Sequence, residues 1–169
     1  MANKVSTAGL GAALGLAALL GSVTAGRTDP LRSLPPVIGA TELIVSDERT
    51  GLGLRGFDAV SYFLGAPRAG QEGVELLWSG VVWRFASESN REVFRRNPQV
   101  YAPRLGGYDP TAAAEGALVA ADPTLFAVRH DRLYLFRNEA NRARFLGEPA
   151  IEQKAEARWP ELSRALVKP

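Results

Sequence analysis

Few side chains in this sequence have the chemistry of a site. His130 is the only histidine and cysteine is absent, so thiolate nucleophiles, disulfide frameworks and sulfur-ligated zinc are excluded. A metal could be offered only His130 with oxygen ligands, Asp109 first, then Asp122 or Asp131, and no His-x-x-x-His spacing supports it. Asp58 stands between Phe57 and the pair Tyr62-Phe63. There it is a candidate general acid in an apolar pocket, or the cap of a short helix over 59–63, accepting backbone N–H groups. The run Gly106-Gly107-Tyr108-Asp109-Pro110 is a flexible turn without the lysine of a phosphate loop. Its glycines allow close approach of a ligand, so Tyr101, Tyr108 and Asp109, with Asp58 and Tyr62, are the candidate ligand-binding residues. Nucleophile elbows, supported carboxylate pairs and nucleotide fingerprints are missing, which points to binding rather than catalysis, with no cofactor.

The elements that must position these residues come in pairs. Residues 74–78, the turn Ser79-Gly80 and residues 81–85 predict a hairpin. A helix follows, capped by Ser87, with Glu88 in its first turn and Pro98 as its stop. The pattern recurs with residues 125–128, a turn at His130-Asp131, residues 132–136, the cap Asn138 and the stop Pro149. With Phe85 set on Phe136, 51 positions on, Glu88, Asn90, Arg91, Phe94 and Pro98 fall on Glu139, Asn141, Arg142, Phe145 and Pro149. Asn90 and Asn141 then either close capping interactions or reach each other across a pseudo-twofold axis. The expected fold is α+β: two β-hairpin–helix units forming a small, mostly antiparallel sheet packed with helices, and a C-terminal helix over 149–159 that buries Trp159 just before Pro160, with a further turn or two over 161–166. Residues 41–45 predict one further strand, and 111–121 a short helix and linker.

Composition adds exclusions and an address. Of 169 residues, 46% are hydrophobic and 22% charged, which is ordinary for one globular domain. Twenty basic against 18 acidic residues leave only +2, and the arginines are interspersed with acids, so no nucleic-acid partner is expected. Lys4 followed by an apolar run and then Val23-Thr24-Ala25 has the order of a secretory signal, which predicts residues 1–25 as signal peptide, 26–40 as linker and 41–166 as the domain. The alternative is an uncleaved inner-membrane anchor, which would be the chain's only membrane contact. Either places the domain outside the cytoplasm, in the periplasm.

Three stretches together resemble the YHS domain family: residues 54–63, with Gly56-Phe57-Asp58; residues 82–94 continuing into Asn97-Pro98 and Tyr101; and Gly106-Gly107-Tyr108. Asp131-Arg132-Leu133-Tyr134 and Arg158-Trp159-Pro160 are similar to the ends of its exported, single-domain members. Metal-handling relatives carry cysteines at places that fall on Ser61, Ala86 and Asn90, and the exported branch carries one that falls on Asp109. The resemblance therefore implies the fold without the family's sulfur ligands. With the export signal, the repeat and the lack of a catalytic constellation, the expectation is an exported, non-enzymatic module that binds a small ligand or a periplasmic protein; the alternative is metal binding or trafficking through His130 and oxygen ligands.

Overall fold

The computed structural model describes residues 42–166, so the signal and linker expected over 1–40 lie outside the described residues. Strands β1 (Glu75–Trp78) and β2 (Val81–Arg84) pair antiparallel, Trp78 opposite Val81. The two-residue loop between them puts Ser79 and Gly80 at φ +53° and +79°, the mirror-image turn whose twist matches that of the strands. Helix α1 (Glu88–Arg96) follows, with Ser87 accepting from the Asn90 amide and Glu88 in its first turn. The second unit repeats this plan. Strands β3 (Asp122–Arg129) and β4 (Arg132–Phe136) turn at His130-Asp131, φ +50° and +56°, and α4 (Glu139–Gly147) is capped by Asn138. The α+β fold is thus built on two antiparallel hairpins, each followed by its helix. The hairpins remain two separate two-stranded sheets, instead of the one sheet expected of them.

Packing repeats along with connectivity. Phe94 of α1 meets Trp83 and Phe85 at centroid distances of 5.1 Å each, and Phe145 of α4 meets Tyr134 and Phe136 at 4.8 and 5.2 Å. All six rings are at most 1% exposed. Leu133 and Leu135 of the second hairpin pack in the same cluster as Trp83, Phe85 and Phe94, joining the units through apolar contact.

The ends of the units differ. The first closes with the short α2 (Pro98–Tyr101), whereas the second closes with α5 (Pro149–Arg164), each with proline at its start, where the missing N–H costs nothing. Pro160 lies inside α5 and does not end it. A proline there removes one helical hydrogen bond, but Leu162 and Leu166 beyond it are buried with Leu105, Tyr108 and Ala113, and that burial carries the helix on. Trp159 is only half-buried, its ring 6.0 Å from that of Tyr108. Residues 42–45 form no strand: the segment crosses the Gly106 turn, Val45 N–H donating to Gly106 at 2.8 Å, and pairs only at Ser46 with Gly53. Between the units α3 (Pro110–Ala114) fulfils the short helix expected there.

Candidate functional site

Asp58 is completely buried. Its Oδ1 accepts from the Val60 amide at 2.9 Å, and its Oδ2 from the Ala86 amide at 2.9 Å and from Asn90 Nδ2 at 2.6 Å. One carboxylate thus ties the start of a 3-10 turn (Ser61–Leu64) to the end of β2 and to the first turn of α1. Asp109, also fully buried, does the same 51 residues later. Its Oδ1 accepts from the Thr111 and Ala112 amides at 2.7 and 3.0 Å, and its Oδ2 from the Arg137 amide at 2.7 Å and Asn141 Nδ2 at 2.9 Å. The asparagines therefore do not reach each other across an axis; each holds the aspartate of its own unit. A carboxylate taking three or four N–H groups can be buried because these donors stand in for the hydrogen bonds it gives up from water.

Neither aspartate is exposed to solvent. Asp58 accepts a local backbone N–H as its capping reading expected, but from Val60, ahead of a 3-10 helix (Ser61–Leu64) whose own N-cap is Val60 and has no side-chain cap, while Asp109 is the N-cap of α3. The tyrosines named with them are also engaged in the fold. Tyr62 is 1% exposed, donates to the Pro123 carbonyl at 2.9 Å and lies edge-on to Phe126, and burial pushes its phenol well above the usual range. Tyr108 donates to the Glu42 carbonyl at 2.7 Å, and burial pushes it up to about 12. Tyr101, half-buried, stacks edge-on against Phe63 at 5.2 Å.

His130 sits on the exposed hairpin tip, with Nδ1 3.2 Å from Glu152 Oε1. Glu152 and Glu156, one turn apart on α5, share the Tyr134 hydroxyl, which lies 3.1 and 2.8 Å from their Oε1 atoms. Arg104 grips Glu156 through two hydrogen bonds, and Arg129 approaches Glu152 at 3.3 Å. Burial raises the Glu156 pKa, yet the hydrogen bonds from Arg104 and Tyr134 outweigh it and hold the carboxyl below its ordinary value. These acids are matched by arginines and fasten α5 to the second hairpin. Among the described residues no group of three or more histidine and carboxylate side chains has the geometry to hold a metal ion.

A cavity lies away from these residues. A cavity of about 380 Å³ is lined by Leu54 and Arg55 of the first unit, by Gly107, Ala121, Pro123, Leu135 and Arg137 of the second, and by the segment 45–49. Its floor is apolar, since Leu54, Pro103, Ala121, Pro123 and Leu135 are buried, and its rim is charged, with Arg49, Arg55 and Arg137 exposed. None of Asp58, Tyr62, Tyr101, Tyr108 or Asp109 lines it. The rim arginines carry no local sequence signal, because they stand among many arginines of ordinary solvated type. A better signal existed for the aspartates: Leu-x-Gly-aromatic-Asp occurs at 54–58 and again at 105–109, at the same 51-residue offset as the helices.

Comparison with protein-family models, with curated proteins and with solved structures found no match for this chain.

Proposed function

We propose that this protein is a non-enzymatic, exported YHS-like binding module, and that its ligand sits in the cavity between the two hairpin–helix units. The observation that carries this reading is the cavity itself. It is bounded by both units, has an apolar floor and a charged rim, and lies within the size range of small-molecule sites. The carboxylates that were candidates for acid–base work are buried and already hold three or four N–H groups each, which favours binding over catalysis. The YHS-like reading draws support from geometry around Asp58. Ala86 and Asn90, two places where metal-handling relatives carry cysteine, donate to its carboxylate, and Ser61, the third, donates to its carbonyl at 2.6 Å. Where such relatives would gather sulfur, this chain gathers hydrogen-bond donors around a carboxylate.

Native mass spectrometry of the untagged protein from its own host tests the reading. The expected result is a chain lacking about the first 25 residues, carrying a small-molecule adduct that disappears in Ala120→Trp, which fills the cavity from an exposed position. An adduct that survives Ala120→Trp would place the ligand elsewhere, and an intact Met1 in the membrane fraction would replace export with anchoring.

A further inference from the structure

Three donors of the Asp58 clamp, from residues 60, 86 and 90, recur 51 positions on at Asp109, so the positions where the two units depart from one another are informative. Arg55 occupies the place that Gly106 has in the second unit, and Arg137 the place that Ala86 has in the first. Both arginines line the inter-repeat cavity. Arg55 does so in the left-handed region, at φ +51°, where its counterpart is a glycine at +62°; an L-residue there carries a conformational cost that glycine avoids. Gly106 has no such choice, because a Cβ on it would lie 2.0 Å from the Leu43 carbonyl oxygen.

The rim keeps part of its hydrogen-bonding capacity free. Asp47 Oδ1 accepts from the Arg49 and Thr50 amides and the Thr50 hydroxyl, at 2.8 to 3.2 Å. Asp122 Oδ1 accepts from the amide and hydroxyl of Thr124, and its Oδ2 lies 3.6 Å from Arg55. Those hydrogen bonds from Thr124, with the charges of Arg55 and Arg137, hold Asp122 below the ordinary carboxylate range despite partial burial. Among the described residues the guanidinium groups of Arg49 and Arg137 make neither a hydrogen bond nor an ion pair. Glu48, exposed at the rim, is the one lining carboxylate without a hydrogen-bond partner among them. The formal charges nearly balance, so the guanidinium donors select the ligand: that of Arg137 is unengaged and that of Arg55 makes no hydrogen bond among the described residues, meeting Asp122 only at 3.6 Å, so the two present forks that suit a planar or tetrahedral oxyanion.

Taking the cavity to be the ligand site, as proposed above, we infer that it selects a small organic anion, with a carboxylate or phosphate head held by Arg137 and Arg55 and an apolar body on the floor of Leu54, Ala121 and Leu135. Arg49 closes the rim from the N-terminal segment.

The test uses phenylacetate, phenyl phosphate and the neutral phenylacetamide as probes, titrated into the protein while the backbone amide resonances of Leu54, Ala121 and Leu135 are followed by NMR. The variant is the double substitution Arg55→Gly with Arg137→Ala. Each new residue already stands at the matching position of the other unit, so the backbone accommodates both. Expected are shifts at the lining amides with at least one anion, binding roughly tenfold or more tighter than the amide, and loss of that advantage in the double variant. Arg91→Ala, on α1 outside the cavity, should leave it intact. Whichever anion binds tighter identifies the head group. Equal affinity for acid and amide, or an unchanged advantage in the double variant, overturns the anion preference while leaving a ligand site in place. No response of the lining amides to any of the three probes overturns both readings.

Discussion

The first and second hairpin–helix units are alike inside and unlike outside. Inside, each places an aspartate beneath a hairpin, holds it with an asparagine from the following helix, and wedges a phenylalanine between two aromatic rings. Outside, the first unit turns at Ser79-Gly80 and ends in a helix of four residues, while the second turns at His130-Asp131 and ends in one of 16. What the two units share is set by burial, because a buried carboxylate tolerates no loss of partners. The cavity arginines are unshared and lie at the surface, where a side chain can change without leaving an orphaned group.

The sharpest way to break the comparison is to remove the clamps. Asp58→Ala strands two buried or part-buried backbone N–H groups and the Asn90 amide; Asp109→Ala strands three and the Asn141 amide. Both should lose about 3 kcal/mol or more, the second more than the first, read as midpoints of urea unfolding. Equal and small losses would mean that the clamps are incidental to stability.

Acid should separate the units next, since only the second has a helix held by an acid–arginine network. Glu156 has a folded pKa below its ordinary value of 4.5. Its contribution is therefore fully present above that value and is lost as pH falls through the lowered folded pKa. Glu156→Gln should cost about 1 kcal/mol near neutral pH, an amount reduced by partial exposure, and the gap to the parent protein should close in acid. A gap that is constant with pH would exclude Glu156 as the acid-sensitive tie of α5.

The smallest expected effect sharpens the comparison at the turns. Asp131, at φ +56°, stands where the first unit has Gly80 at +79°. Asp131→Gly should raise stability by about 0.5 kcal/mol, through relief of the left-handed conformation; a lower melting temperature would show that Asp131 has a stabilising partner.

Much of the architecture was legible because it rests on local rules. Ser87 and Asn138 read as caps, Pro98 and Pro149 as boundaries, and the two hairpins as hairpins, all from residue type and spacing, and the 51-residue offset linked them. Asp58 and Asp109 were legible as unusual but not as equivalent. An acid followed by a helix reads equally as cap or as catalyst until its second oxygen is seen to hold a distant amide. That α5 runs unbroken through Pro160 was not legible, because the cost of a proline in a helix is local while the burial of Leu162 and Leu166 that offsets it is not.

The sequence by itself determined two capped helices, two tight hairpins, the repeat that relates them, and the exclusion of every sulfur-based chemistry. Only the tertiary structure decided that the two aspartates are clamps, that each asparagine serves its own unit, and that Arg55 and Arg137 meet at one cavity. Those outcomes join residues 28 to 82 positions apart in the chain. Which distant groups replace the water lost by a buried charge, and which solvated arginines come to face each other, depends on packing and not on spacing.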